Sequence, residues 1–164
     1  RDERGRRIRR GSRSAQAAPL AIFGHRFPLG GAYSLGGEGA RFGAGRPGHT
    51  HQGQDITGAE GIPVVAPRGG VVTRAAYQPE GAGYYVILAG SGERLQYAFM
   101  HMQRGSITVR EGQRVLTGQA LGRLGNTGAS SGPHLHFEIW EGPWQTGGRP
   151  LDPLTYLRRW ASWS

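Results

Sequence analysis

Short apolar or alternating runs, each closed by glycine or proline, steer this 164-residue chain toward a β-rich fold. The runs lie at 63–66 (PVVA), 70–77 (GVVTRAAY), 84–89 (YYVILA), 95–100 (LQYAFM), 107–109 (ITV), 120–124 (ALGRL) and 134–140 (HLHFEIW). Their spacing of about 8–15 residues suits hairpin-linked antiparallel strands rather than β-α-β units. The expected class is all-β, an antiparallel β-sandwich. The 30 glycines and 10 prolines supply its turns, and VREGQRVLTGQALGRLGNTG (109–128) reads as tight hairpins with glycines at positive φ. The closing LDPLTYLRRWASWS reads as a final turn and a short amphipathic helix, capped by Asp152 with Pro153 in its first turn. Trp160 and Trp163 are expected to pack there or to lie partly exposed on a tail.

With no cysteine, the chain has no disulfide, no zinc–cysteine site and no thiol catalysis. All 20 basic residues are arginine, seven of them in residues 1–18 against Asp2 and Glu3, which gives that arm a net charge of +5. The arm has no hydrophobic period and reads as a flexible tail, suited to electrostatic contact with an anionic polymer or membrane surface. No nucleic-acid module accompanies the charge, so nucleic acid is not an expected partner. Residues 19–164 are expected to form one domain. No transmembrane run or signal-peptide core is visible, and a chain beginning at Arg1 reads as a processed form.

Three clusters carry chemistry: His51 and Asp55 in HQGQD, His101 in FMHM, and His134 and His136 in PHLHFE. In the last, alternation of histidine with Leu135 and Phe137 puts both imidazoles on one face of a strand and the apolar residues in the core. His51 and Asp55, four apart, share a face of either a strand or a helix, and Gly53 between them argues against the helix and for a strand or a tight loop. Taken singly, each cluster has a plain reading: a solvated strand face for His-x-His, a hydrogen-bonded core histidine for His101. Together, four histidines and an aspartate in strand-like segments match a catalytic zinc site, which takes three protein ligands and leaves a position for water. His51, Asp55 and one of His134 and His136 would be ligands. The other and His101 would then handle protons.

HQGQDI, FMHM, GQALGRLGNTG and SSGPHLHFEIW together resemble the lysostaphin-type (LytM-type) zinc peptidases that cut peptidoglycan peptides. The resemblance covers about residues 41–157. It implies a LytM-type, barrel-sandwich-hybrid-like fold with the active site in a groove over one sheet. It also implies one Zn2+ per chain, held by His51, Asp55 and His136, with His101 and His134 as the catalytic residues. The implied activity is hydrolysis of peptide cross-links or bridges of bacterial peptidoglycan by a zinc-activated water. The setting would be the cell envelope, periplasmic or extracellular, with the chain acting as a monomer and its arm touching anionic wall polymer or membrane. The alternative is a non-catalytic relative that binds peptidoglycan or activates another wall hydrolase.

One feature departs from that pattern. Some members place a tyrosine shortly before the first motif, whereas this chain has ARFGAGRPGHTHQGQD. Arg41 and Arg46 are the local sources of positive charge, and otherwise read as loop-anchoring arginines. His49 would share the strand face of His51, at the site or on its rim. His25, without a partner in sequence, reads as structural or exposed. Lipoyl and biotinyl carrier domains share the hairpin rhythm, but they must present a lysine and this chain has none.

Overall fold

A computed structural model of the chain describes residues 24–163, so the basic arm lies outside the described residues. Its strands are β1 (Tyr33–Ser34), β2 (Gly45–Arg46), β3 (His49–Thr50), β4 (Gln54–Gly58), β5 (Pro63–Val65), β6 (Gly70–Gln78), β7 (Gly83–Gly90), β8 (Leu95–Met102), β9 (Arg114–Val115), β10 (Ala120–Arg123), β11 (His134–Glu141) and β12 (Arg149–Leu151). One helix, α1 (Leu154–Trp163), follows them. Among the described residues, eight strands form a single antiparallel sheet in the order β1-β4-β11-β8-β7-β6-β9, with β12 added alongside β11. β5 and β10 form a second, two-stranded sheet, and β2 and β3 a small hairpin.

Period-two alternation explains the layering. Along β11, Leu135, Phe137 and Ile139 enter the main core, while His134, His136, Glu138 and Trp140 stand on the opposite face. Val64 of β5 and Leu121 of β10 close over that core, packing with Ile56, Val72, Val86, Phe99 and Phe137. The other face carries a smaller cluster of Tyr85, Ile87, Ala98 and Met100, and here the sheet forms the floor of a groove.

The helix closes one end of the core. Asp152 Oδ1 accepts the backbone N–H of Leu154 at 3.0 Å, and the Pro153 carbonyl accepts Leu157 N–H at 2.9 Å, so the expected cap and proline start are in place. Trp160, 2% exposed, meets Phe137 and Tyr97 edge-on and stacks on His25, 5.2 Å between centroids. His25 is thus structural, with Nε2 2.8 Å from Glu93.

The run 107–109 is not a strand. Thr108 N–H reaches Leu121 O at 3.0 Å, but the β5–β10 ladder shifts register between Ala120 and Gly122. Thr108 Oγ1–H adds a side-chain bond to Ala120 O at 3.3 Å, and the segment touches β10 without forming a ladder. Of the glycines in the 109–128 rhythm, Gly112, Gly118 and Gly128 do have positive φ. Gly125 is needed for closeness instead: a Cβ there would lie 2.6 Å from Gln103 N.

Phe137 is fully buried among Tyr97, Phe99 and Trp160. Phe137→Ala is expected to lower unfolding free energy by about 3–5 kcal/mol, read as a reduced urea midpoint at constant slope.

Candidate metal centre

The pairing of β4 with β11 sets His136 directly opposite Asp55. Both side chains stand on the groove face, and His136 Nδ1 lies 3.0 Å from Asp55 Oδ1. His51 arrives from outside the strand. β3 ends at Thr50 and the chain bends at Gly53 before β4 begins, so of the two expected forms the tight loop is present and a continuous strand is not. The bend brings His51 Nε2 to 3.2 Å from Asp55 Oδ1 and 3.1 Å from His136 Nδ1. A glycine is required at the bend: a Cβ on residue 53 would fall 2.4 Å from Phe137 O and 3.1 Å from His136 Nε2.

The outer ring atoms fix which nitrogens face inward. His51 Nδ1–H donates to Arg41 O at 2.8 Å, leaving Nε2 bare. His136 Nε2–H donates to Glu138 Oε2 at 2.8 Å, leaving Nδ1 bare. Three acceptor atoms therefore converge on one point. Ligand atoms about 2.0–2.1 Å from a tetrahedral ion stand roughly 3.3 Å apart, so the observed 3.0–3.2 Å spacings fit a small divalent cation. Charge agrees with geometry. Burial alone would lower His136, yet hydrogen bonds to Asp55 and Glu138, with their negative charge, raise it to about 9. Burial would raise Asp55, but hydrogen bonds from His136 and His51 outweigh it and hold the carboxyl well below the usual range. The pocket demands positive charge, which a proton or a cation can supply.

His101 and His134 stand beside this cluster, their ring centroids 4.8 Å apart. His101 belongs to β8, which runs on to Met102, and it sits at a bulge: Tyr84 pairs with Met102 and Val86 with Phe99, so Tyr85 faces two residues. With φ of 69°, His101 breaks the strand's alternation, joining Met100 on the groove side while Met102 returns to the core. His101 Nδ1–H donates to Thr127 O at 2.7 Å and His134 Nδ1–H to Gly132 O at 2.8 Å, so both Nε2 atoms are left for the groove. His134 Nε2 is 3.6 Å from Asp55 Oδ1. Burial, reinforced by the neighbouring histidines, pushes His101 down to about 4 against the opposing Thr127 bond, so the ring is neutral at pH 7.

All five expected residues line one groove of about 600 Å³. His49 stands on its exposed rim, bonded to Pro47 O; since β3 ends at Thr50, it does not share the setting of buried His51. Arg46 anchors its loop through Gly39 O and also comes within 3.6 Å of Asp55 Oδ2. Arg41 contributes its backbone carbonyl. Sequence reasoning missed Glu138, although its position two residues after His136 placed it on the same strand face. That carboxylate accepts His136, Trp140 Nε1 at 2.7 Å and Trp144 Nε1 at 2.9 Å.

Residues 49–153 match the sequence model of Peptidase family M23. The chain belongs to that family. Among M23-like relatives, an uncharacterized metalloprotease of Haemophilus influenzae is 42% identical over 105 residues, 64% of this chain and 20% of its own. The peptidoglycan DD-endopeptidase ShyA of Vibrio cholerae is 38% identical, covering 63% of this chain and 22% of its own. The murein hydrolase activator NlpD of Escherichia coli is 35% identical, covering 71% and 28%. The chain thus spans under a third of these relatives' length. Lysostaphin from Staphylococcus simulans superposes with a TM-score of 0.65 at 25% identity, over 89% of this chain and 52% of that one. A zinc-containing peptidase from Vibrio cholerae superposes at 0.62 with 29% identity, over 78% and 38%. The antiparallel fold is therefore that of the lysostaphin group, sheet and C-terminal helix included, without a closed barrel.

Glu138→Gln removes the charge that orients His136. Affinity for a divalent metal is expected to fall about 10–100-fold with the fold retained, measured by competition with a chromophoric chelator.

Proposed function

We propose that this M23 domain is a zinc-dependent endopeptidase that hydrolyses peptide cross-links or bridges of bacterial peptidoglycan. The observation that carries the reading is the division of five polar residues into two sets: three bare acceptor atoms 3.0–3.2 Å apart, and two imidazoles beside them with Nε2 turned to the groove. His51, Asp55 and His136 would hold Zn2+. Bound there, zinc supplies Lewis acidity and lowers the pKa of water toward neutrality.

The chain's own residues supply the rest. Burial keeps the His101 ring neutral near pH 7, so an unprotonated Nε2 faces the groove. One of His101 and His134 takes the proton of the attacking water on its Nε2. The other, when it carries a proton there, offers that N–H to the tetrahedral oxygen and then to the leaving amine. Fixing each Nδ1–H on a backbone carbonyl sets both rings before substrate arrives. Arg46, beside Asp55 Oδ2, brings positive charge where a helper tyrosine is lacking. The substrate puts the chain in the cell envelope, periplasmic or extracellular.

Similarity to a murein hydrolase activator supports a second reading, a non-catalytic module that binds peptidoglycan or activates another wall hydrolase. Digestion of purified peptidoglycan by the zinc-loaded chain, with mass analysis of released peptides, separates the two. Chelator-sensitive release of peptides is expected; binding to the sacculus without release would select the activator. His51→Ala and Asp55→Ala are expected to lose both metal and cleavage. His134→Ala is expected to keep metal and lose cleavage by at least about 100-fold, and loss of its metal instead would exchange the roles of His134 and His136.

A further inference from the structure

A second cavity of about 390 Å³ lies on the same face of the sheet and shares Gln78, Trp144 and Gln145 with the groove. Its position follows from strand register. Arg74 of β6 pairs with Ile87, Ile87 with Ala98, and Ala98 with Glu138, so Arg74 lies straight across the sheet from the carboxylate behind His136. Three strand spacings make that about 14 Å. An extended peptide covers the distance in about four residues.

The polar groups of this cavity are unusual in kind. Arg74 Nε–H donates to Tyr85 Oη at 2.7 Å, which leaves both terminal nitrogens of the guanidinium available. Among the described residues no carboxylate lies within ion-pair distance of it, and no acidic side chain lines the cavity. Having accepted that bond, Tyr85 Oη still has its own O–H to donate. Gln78 Oε1 accepts Ala82 N–H at 3.2 Å and Gln96 Oε1 accepts Trp144 N–H at 3.0 Å. A backbone N–H can only donate, so these bonds fix the orientation of both amides and leave their NH2 donors unspent. The cavity therefore offers one positive fork and a surplus of donors. Its complement is a group that only accepts, planar and negatively charged, and that is a carboxylate.

We propose that this cavity is a subsite for a free carboxylate of a branched peptide substrate, held several residues from the bond that is cut, with Arg74 as its specificity-determining residue. The proposal rests on the endopeptidase reading for its substrate, and it extends that reading from the reacting centre to the choice of peptide. Trp144 forms the wall between the two sites: its indole N–H holds Glu138, and its backbone N–H orients Gln96.

The test compares peptidoglycan-derived peptides with carboxylates free and the same peptides converted to primary amides, on the zinc-loaded full chain. In the unsubstituted protein, amidation is expected to raise KM about tenfold, the scale of one charge-assisted bond. In Arg74→Gln the two forms are expected to bind equally weakly, and Arg74→Lys to recover part of the preference. Because Arg74 is exposed, thermal unfolding of both variants should match the parent. A preference for free carboxylate that survives Arg74→Gln, or its absence in the unsubstituted protein, overturns the proposal. A parallel titration of Trp fluorescence on zinc-loaded His134→Ala gives Kd for both peptide forms without turnover. If neither peptide is cleaved by the unsubstituted chain, the endopeptidase reading fails, and the fluorescence titration alone decides the subsite.

Discussion

The register between β4 and β11 is the constraint on which the site depends. Strands alternate with period two, so a slip of β11 by one residue would turn His134, His136 and Glu138 into the core and expose Leu135, Phe137 and Ile139. Burying a carboxylate and two imidazoles without partners, while exposing three large apolar side chains, costs far more than any local rearrangement recovers. The hydrophobic face of β11 thereby fixes the geometry of its polar face. His136 and Asp55 meet at 3.0 Å because Phe137 and Ile56 are fully buried on the other side.

Much of this was legible in the chain. HLHFEIW announces a half-buried strand by alternation alone, and its histidines share a face as read. The long strands, the all-β class and the Asp152 cap were visible for similar local reasons. What escaped is non-local or aperiodic. His51 reaches the cluster through a bend at Gly53, and its approach depends on the β11 backbone that Gly53 passes. His101 faces the groove only because a bulge inverts alternation inside β8, and no run of apolar residues announces a bulge. β1, β2, β3, β9 and β12 are two or three residues long and have no period to detect. The run 107–109 failed in the opposite direction: it has the composition of a strand but makes only one ladder-like bond.

The missed Glu138 shows how polar burial is made tolerable. It is 3% exposed, and burial alone would raise its pKa. Donors from His136, Trp144 and Trp140 hold it in the ionised range instead. Three donors on two oxygens meet most of the carboxylate's demand and leave its charge to act on the imidazole. The same charge makes His136 a better ligand and fixes its ring, since only one edge of the imidazole can face Glu138. Positive charge at the other edge then completes a site that would otherwise bury uncompensated anions.

Trp144 carries this order outward. Its two N–H groups are spent on Glu138 and Gln96, one at the candidate metal centre and one at the donor-rich cavity. Its ring also lies 5.7 Å from that of Tyr85, which in turn holds Arg74. Each link is a hydrogen bond or ring contact within one face of the sheet. A peptide spanning both sites would meet a floor and a dividing wall already fixed by the fold, so its binding costs little ordering of the protein. The interactions that orient the candidate metal-binding residues also hold the polar groups of the second cavity, so the proposed reactivity and the proposed peptide choice would share one surface.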